Sequence, residues 1–382
     1  MPFDALFVPA PLREAVSDEA WLRALLEAER ALAAAEAGVG VISVEEAEAV
    51  AAACAGTFDA AALAEEGRRV GNPVEPLVRA LREGAERAHW GATTQDMLDT
   101  ASALVARDAG VLVLAELGGL AQACATLAER HRGTVMAART LLQQAVPTTF
   151  GLKAASWLVG VIHTRGRLER AVRLPAQLGG AGGTLAALGD RGTDVLRAYA
   201  EQLGLSEPVL PWHTRRLPVA ELGSELAVAA SFAGKIALDL ALLAQTEVGE
   251  VREPADGGSS TMPHKRNPVG STLARACAAR ARAAAAELVA AVEQEHERAA
   301  GAWHVEWGAL SDALAFSGGA VSWMRETLAG LEVDEERMRA NISPGVLSEA
   351  GRFGIDASEP ADYLGAADAF VSRALDLYAR ER

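Results

Sequence analysis

The stretch Gly257-Gly258-Ser259-Ser260-Thr261-Met262-Pro263-His264-Lys265-Arg266-Asn267-Pro268-Val269 combines paired glycines, paired serines, three basic side chains and an Asn-Pro pair. The sequence on both sides of it is apolar, rich in alanine and helical in pattern. Paired glycines permit backbone conformations that other residues avoid, so the first half predicts a mobile loop. Asn267 and Pro268 predict the N-cap and first residue of a helix that follows the loop.

A loop of this composition next to a helix start suggests an anion site. A helix N-terminus offers unpaired N–H groups and the positive end of its dipole, which attract carboxylate or phosphate. Lys265 adds a full charge, and the serines supply hydroxyl groups. The alternative is an ordinary Gly-Ser linker. Such a linker does not require the specific run Met-Pro-His-Lys-Arg-Asn-Pro, so we favour a functional loop.

The composition of the 382-residue chain excludes several classes of protein. Half of the residues are hydrophobic and only 5% are aromatic, which favours a large core of closely packed helices. The net charge of −15 argues against binding to nucleic acid or to an anionic membrane surface. An anionic substrate would therefore need a strongly positive local site.

Cysteine usage and hydropathy indicate a soluble cytoplasmic protein. The three cysteines, Cys54, Cys124 and Cys277, have no metal-type spacing and suit buried thiols in a reducing compartment. The N-terminus lacks the pattern of a signal peptide. The most apolar window, 226–244, contains Lys235 and Asp239, and we expect it to fall short of a membrane span.

Apolar residues recur at helical spacing along most of the chain, and no run of alternating strands is evident. We therefore predict an all-α fold with a small N-terminal helical domain (1–92), a central bundle of long helices (93–342) and a short C-terminal helical cap (343–382). The predicted long helices cover 98–130, 147–173, 218–248 and 268 to about 300. The third is apolar nearly all round, which indicates burial inside a bundle, and we expect that bundle to be built from several chains.

Polar islands interrupt these helices at 89–100, 139–149 and 211–216, in addition to the loop. Polar groups between apolar helices are unfavourable unless they are paired or meet a ligand. Islands at helix ends can converge, so we expect them to share one cleft.

The islands resemble the motif regions of the fumarase/aspartase superfamily, and they occur in the same order over nearly the whole chain. The resemblance rests on the loop 257–269, on Thr93-Thr94-Gln95-Asp96, and on Arg139-Thr140 followed by Pro147-Thr148-Thr149-Phe150-Gly151. It implies a homotetramer with one central helical bundle and active sites built by three subunits. The C-terminal domain is shorter than is usual in the family.

Further stretches resemble the branch of this superfamily that converts a muconate tricarboxylate into a lactone during the breakdown of aromatic compounds by the beta-ketoadipate pathway. These stretches are His89-Trp90-Gly91-Ala92-Thr93, Arg139-Thr140-Leu141-Leu142-Gln143-Gln144, 177–185, Pro211-Trp212-His213-Thr214 and 301–307. The resemblance implies a small tricarboxylate substrate and no cofactor, and no cluster in the sequence has metal-ligand spacing.

The resemblance also assigns residues. Ser259 corresponds to the family's catalytic base, and Lys265 and Asn267 to residues that hold a substrate carboxylate. The remaining predicted substrate-binding residues are His89, Thr93, Thr94, Gln144, Ser260, Met262, His213 and Arg215. Arg266 and Arg216 are further candidate cations, and we expect only one of Arg215 and Arg216 to serve the site.

Position 141 distinguishes the branches. Many lyases of the superfamily have a histidine directly after the Arg-Thr pair, where it helps to protonate the leaving group, and this chain has Leu141. A leaving amine or hydroxide needs a proton in the transition state, whereas a carboxylate is already a stable anion. We therefore predict intramolecular carboxylate addition, with Ser259 moving a proton at carbon. An adenylosuccinate-lyase-like elimination and a non-catalytic helical scaffold, like the crystallins of the superfamily, remain alternatives.

Overall fold

The computed structural model describes residues 3–254, 262 and 265–381. Ser259 and Ser260 lie outside the described residues. The described chain is mainly helical, as predicted, and a series of N-terminal helices precedes the long helices of the bundle. They are α1 (Ala10–Ala15), α2 (Asp18–Val39), α3 (Val44–Cys54), α4 (Ala60–Gly67) and α5 (Val74–Arg82). Ser43 and Glu46 form the capping box predicted at the start of α3.

The middle of the chain builds a bundle of long helices. It contains α6 (Thr94–Arg130), α7 (Phe150–Ala171), α8 (Gly192–Leu203), α9 (Leu217–Leu243), α10 (Val269–Ala290) and α11 (Ala302–Ala329). Helices α6, α7, α9, α10 and α11 pack against one another, whereas α8 packs on α2. Small buried alanines on α10, such as Ala274, Ala278 and Ala281, allow its neighbours to approach closely.

A β-hairpin between α6 and α7 was not predicted. Strand β1 (Val135–Thr140) pairs with the antiparallel strand β2 (Gln143–Thr149). The prediction of helix from Pro147 is therefore wrong, and α7 begins at Phe150 after Thr149 caps it by accepting a hydrogen bond from the Leu152 N–H. Pro147 is tolerated because it stands opposite Ala137, next to a bulge in the ladder.

The ends of two other helices also differ from the prediction. Helix α9 ends at Leu243, where the chain turns towards the short strand β3 (Val251–Arg252), which pairs with β4 (Glu332–Val333). Helix α10 ends at Ala290, about ten residues early, and the segment that follows crosses to the start of α6. Gln294 in that segment donates a hydrogen bond to Glu306 at 3.1 Å.

The last part of the chain contains α12 (Glu335–Ala340), α13 (Ser348–Arg352) and α14 (Ala367–Glu381). Helix α14 packs on α7 and α6. We retain the division into 1–92, 93–342 and 343–382 as a proposal for the domain organisation. Cys54, Cys124 and Cys277 are buried free thiols, as predicted, and burial raises the pKa of Cys54 and of Cys277 to about 12.

By length and composition, α6 and α9 are long and apolar enough to cross a membrane. The expectation that the apolar window of α9 falls short was therefore wrong, since its aliphatic residues outweigh Lys235 and Asp239. Half of the apolar window of α6 and 44% of that of α9 is buried inside the protein. Core helices of a bundle meet the same criterion, so it is weak support for a membrane span.

The bundle has two ends that matter for the site. Thr93 caps α6 at one end, which we call the Thr93 end, and the β-hairpin follows α6 at the other, which we call the hairpin end. Helix α6 has 37 residues, which at a rise of 1.5 Å per residue separates the two ends by about 55 Å.

Candidate active site

Asp96 organises the Thr93 end. Its two carboxylate oxygens accept hydrogen bonds from the backbone N–H groups of Thr93 at 2.9 Å, Gly179 at 2.8 Å and Gly180 at 2.9 Å. Asp96 is fully buried, so these charge-assisted bonds replace its lost hydration. The polar island at 89–100 is therefore joined to the glycine-rich turn that follows Leu178, although Asp96 and Gly179 are 83 positions apart in sequence.

His213 also contacts Asp96. Its Nε2 lies 2.7 Å from Asp96 Oδ1, and its side chain is buried. The Gln95 amide donates a hydrogen bond to the His213 carbonyl at 2.7 Å. The structure thus places His213, a predicted substrate-binding residue, against Asp96 and away from the cavity described next, whereas Arg215 beside it is exposed.

A cavity of about 360 Å³ opens between the N-terminal helices and the glycine-rich turn. Its lining includes His89, Arg82, Trp90 and Gly180. Thr93 and Thr94 start α6 close to the cavity, and both are half-buried. Gly180 has φ +68° and a Cβ there would meet the Gly91 carbonyl oxygen at 2.9 Å, so the turn requires glycine.

His89 is held by a carboxylate that the sequence analysis missed. The Nδ1 of His89 lies 2.6 Å from Oε1 of Glu29, whose side chain on α2 is fully buried. Burial lowers the pKa of the imidazole, but the Glu29 carboxylate and Asp96 outweigh burial and Arg82, and the pKa is raised. One signal for Glu29 was available, since an acidic residue on an Ala- and Leu-rich helix face is rarely buried without a partner.

Arg298 is a second residue that the sequence analysis missed. Its guanidinium donates to Thr93 Oγ1 at 2.7 Å and to the Ala181 carbonyl at 3.2 Å. Both acceptors are neutral, so the charge of Arg298 is not matched by a carboxylate in these contacts. A cation fixed beside Thr93 is suited to binding an anion.

Arg216 proves to be structural. It is fully buried, and it donates to both oxygens of Asp99, at 2.8 and 2.9 Å, and to Glu306 at 2.9 Å. The Trp303 indole N–H also donates to Asp99 at 3.0 Å. The guanidinium therefore joins α6, α9 and α11 and is not available to a ligand.

The hairpin end has its own ion pair. Arg139 donates to both oxygens of Glu250, at 2.9 and 2.5 Å, and the Asn341 amide donates to the same carboxylate at 2.9 Å. Gln144, a predicted substrate-binding residue, donates to the Asn341 carbonyl at 2.7 Å and accepts from the Ser343 N–H at 2.9 Å. Its amide therefore ties β2 to the C-terminal segment in this chain.

The start of α10 departs from the prediction. The helix begins at Val269, and Pro268 rather than Asn267 stands at its N-cap position. Glu253 caps the helix, since it accepts hydrogen bonds from the N–H groups of Gly270 at 2.8 Å and Ser271 at 3.2 Å. The predicted anion site at this helix start is therefore occupied by a carboxylate of the protein. Met262 and Lys265 are exposed, and Asn267 is half-buried.

Leu141 and Leu142 form the tip of the hairpin. Both have left-handed backbone conformations, with φ of 50° and 64°, and both side chains are exposed. Two consecutive residues with positive φ match a type I′ turn, which is usually built from glycine or asparagine. Bulky residues in this conformation carry strain that often marks a functional position.

The structure thus places the described candidate residues in two groups. His89, Thr93, Thr94, His213 and Arg215 lie at the Thr93 end, and Gln144, Met262, Lys265 and Asn267 lie at the hairpin end. Within one chain the two groups are separated by the length of α6. Among residues 3–254, 262 and 265–381, no group of three or more His, Cys, Asp and Glu side chains is arranged to hold a metal ion.

Comparison with known proteins defines the class. Residues 9–283 match the family model described as lyase, and the chain belongs to this family. The 3-carboxy-cis,cis-muconate cycloisomerase of Bradyrhizobium diazoefficiens is 45% identical over 377 residues, which cover 94% of this chain and 82% of the relative. The nitrosuccinate lyase of Streptomyces davaonensis is 48% identical over 353 residues, or 87% of this chain and 74% of the relative.

A solved structure shares the fold over the whole chain. The crystal structure of 3-carboxy-cis,cis-muconate lactonizing enzyme from Pseudomonas putida matches with a TM-score of 0.92 at 37% identity, covering 100% of this chain and 99% of that one. The predicted fumarase/aspartase-like fold is confirmed, as is the resemblance to the lactone-forming branch of the superfamily.

Proposed function

We propose that the protein is a cycloisomerase that interconverts 3-carboxy-cis,cis-muconate and 4-carboxymuconolactone in the beta-ketoadipate pathway. The observation that carries this proposal is Leu141, which occupies the hairpin tip where many lyases of the superfamily place a proton-donating histidine. A leucine cannot donate a proton, and lactone formation needs no donor to the attacking carboxylate. The similarity to several cycloisomerases supports this function over an adenylosuccinate-lyase-like elimination and over a non-catalytic scaffold.

In the proposed reaction, a carboxylate oxygen of the substrate attacks a carbon of the conjugated double bond and forms the C–O bond of the lactone. The displaced electron pair moves onto a second carboxylate and gives an enolate-like dianion. Ser259 donates a proton to the adjacent carbon, and it removes that proton in the reverse reaction. Because Glu253 occupies the start of α10, Lys265 is the group assigned to stabilise the developing charge.

The distance between the two groups of residues supports a site shared between subunits. A muconate tricarboxylate spans roughly 10 Å, on the scale of a few residues of extended chain, whereas the groups lie about 55 Å apart in one chain. Antiparallel packing of copies would bring a Thr93 end next to a hairpin end. Exposed apolar residues on α9, among them Val228, Leu238 and Leu242, would be buried by such packing. A soluble, cytoplasmic homotetramer accounts for both features.

The proposed site divides the binding of three carboxylates between subunits. His89, Thr93, Thr94 and Arg298 would come from one copy, and Lys265, Asn267, Met262, Ser259 and Ser260 from another, with Gln144 supplied by a hairpin. Arg215 remains a candidate cation at the Thr93 end. His213 is assigned a supporting role, since it orients Asp96 rather than the substrate.

Substitution of Ser259 tests the mechanism. We expect Ser259→Ala to lower kcat for lactone formation by roughly a hundred- to ten-thousandfold, because the variant lacks the hydroxyl group that donates the proton to carbon. The substrate's ultraviolet absorbance reports the reaction, and Ser358→Ala, at an exposed serine of the C-terminal segment, is the matched control. Near-normal lactone formation by Ser259→Ala would refute the role of this serine.

A second candidate function is nitrosuccinate lyase, which the 48% identity to the Streptomyces davaonensis enzyme favours. Nitrite is a stable anion, like carboxylate, so its departure also needs no acid at position 141. The two functions differ in their products. Release of nitrite and fumarate from nitrosuccinate, without lactone formation from carboxymuconate, would select the second function.

A further inference from the structure

The acid that faces His89 comes from a different part of the chain and has no role in the reaction as proposed above. Glu29 lies in the middle of α2, on the face that also buries Leu25, Ala28 and Leu32. Its Oε1 contacts His89 Nδ1 at 2.6 Å, while Oε2 is buried without a hydrogen-bond partner among the described residues. A carboxylate in such surroundings is stabilised chiefly by a positive charge on the imidazole.

The contact leaves one polar atom of the ring for a ligand. Nδ1 points to Glu29, and Nε2, on the opposite side of the ring, has no hydrogen bond to any residue that the structure describes. The side chain lines the 360 Å³ cavity and retains 12% of its exposure. When Nδ1 donates to Glu29, a protonated ring must also carry a proton on Nε2.

The backbone fixes the orientation of the ring. His89 has φ 63°, in the left-handed region that few side chains adopt. Arg82 donates from Nε to the carbonyl of Ala88 at 3.1 Å, which holds the residue before His89. The charged groups that act on the ring are Glu29 on α2, Asp96 on α6 and Arg82 on α5, and the two acids outnumber the one cation.

We propose that Glu29 is a positioning residue that keeps His89 an imidazolium, with its Nε2–H directed into the cavity to bind one carboxylate of the substrate. The identity of that substrate rests on the proposed function. The inference about Glu29 and His89 concerns the substrate-free protein and stands apart from it. The arrangement explains how an acidic protein builds a fixed positive group at the Thr93 end.

Glu36 provides a matched control on the same helix. It lies two turns further along α2 and is also fully buried, but it does not contact His89. Burial and the nearby Glu29 raise its pKa to about 8, against a weaker opposing effect of Arg87. At pH 7 it is therefore mostly neutral, and Glu36→Gln removes little charge from the surroundings of His89.

The test is an NMR titration of histidine rings labelled with ¹³C, in the substrate-free protein, with the His89 signal assigned from a His89→Asn variant. In the wild type we expect His89 to titrate at a higher pH than an ordinary histidine. Glu29→Gln is expected to move the titration to lower pH, and Glu36→Gln to leave it nearly unchanged. A wild-type His89 that is neutral at pH 7, or an unchanged titration in Glu29→Gln, would overturn the proposal.

Kinetics with 3-carboxy-cis,cis-muconate give the second readout. At pH 7.5 we expect Glu29→Gln to raise KM about tenfold, as expected for loss of one charged hydrogen bond, and to change kcat less than about threefold. The pH at which KM begins to rise should fall with the His89 titration, which a purely structural defect would not produce. An equal loss of kcat at every pH would contradict a positioning role. If the protein does not turn over this substrate at all, the proposed function fails, while the titration still decides the role of Glu29.

Discussion

Glu253 Oε2 accepts a hydrogen bond from the Gly270 N–H at 2.8 Å, so that a carboxylate of the protein itself caps the bundle helix α10. Ser271 adds its own N–H at 3.2 Å and its hydroxyl to the same carboxylate. The α10 terminus is thereby neutralised before any substrate arrives. The negative charge of the substrate must therefore be neutralised by side chains, and the candidates are Lys265, His89 and Arg298.

We expect Glu253→Gln to destabilise the protein by about 1–3 kcal/mol, because a charged acceptor of buried N–H groups is replaced by a neutral amide. Denaturant unfolding at fixed protein concentration measures the change. Glu247→Gln, at an exposed glutamate of the same connecting segment, is the control and should have little effect. Equal effects of the two substitutions would show that the cap contributes nothing beyond surface charge.

Glu36 gives a pH-dependent prediction for stability. Its pKa in the folded protein is about 8, against 4.5 ordinarily, so between these values the unfolded chain loses a proton that the folded chain keeps. The free energy of unfolding is therefore not lowered by Glu36 below pH 4.5, and it decreases as the pH rises towards 8. We expect Glu36→Gln to be increasingly stabilising over that window, by up to about 1.4 kcal/mol per pH unit.

Urea unfolding at pH 5, 6.5 and 8 measures this trend, and Glu48→Gln, at an exposed position on α3, is the control. A difference between Glu36→Gln and wild type that does not change with pH would show that Glu36 is ionised in the folded protein.

Among the residues that the structure describes, Arg298 contacts Thr93 and the Ala181 carbonyl but no carboxylate, so its charge is available to the substrate. We expect Arg298→Gln to raise KM for carboxymuconate by about ten- to a hundredfold, the effect of losing a charged hydrogen bond. Arg298→Lys keeps the charge but not the planar geometry, so its KM should lie between those of the wild type and of Arg298→Gln. Steady-state kinetics decide the matter, and an unchanged KM in Arg298→Gln would remove this residue from the site.

Subunit sharing predicts complementation between inactive variants. His89→Ala changes only the Thr93 end and Lys265→Ala only the hairpin end. Hybrid oligomers refolded from equal amounts of the two are expected to recover about a quarter of wild-type activity, since random assembly leaves that share of sites without a substitution. The double variant refolded alone is the control. Hybrids as inactive as either parent would indicate that each site is built by one chain.

The sequence was sufficient to predict the helical fold and the long bundle helices, since apolar residues at helical spacing record which face is buried. It was insufficient for the hairpin at 135–149, because its strands are short and their ladder depends on pairing between segments rather than on local preference. The start of α10 was misjudged for a related reason. Asn-Pro is a good local cap, but Glu253 reaches the same N–H groups across the fold.

The residues of the candidate site could likewise be predicted only in part from the sequence. Motif residues such as Thr93 and Lys265 could be recognised along the chain, whereas Glu29 and Arg298 acquire a role only through contacts with residues 60 and 205 positions away. His213 and Arg216 show a second limit of the sequence. Both stand in a polar island, yet burial pairs them with Asp96 and Asp99, and only the fold distinguishes a buried partner from a ligand-binding cation.

The most direct test of the central claim is the ratio of kcat/KM for 3-carboxy-cis,cis-muconate to that for nitrosuccinate, measured on the same purified protein. Loss of the muconate's ultraviolet absorbance with formation of the lactone reports the first reaction, and release of nitrite reports the second. We predict a ratio above about a hundred, since a site shaped for one substrate commonly discriminates by a few kcal/mol. Nitrite release without lactone formation would contradict the account.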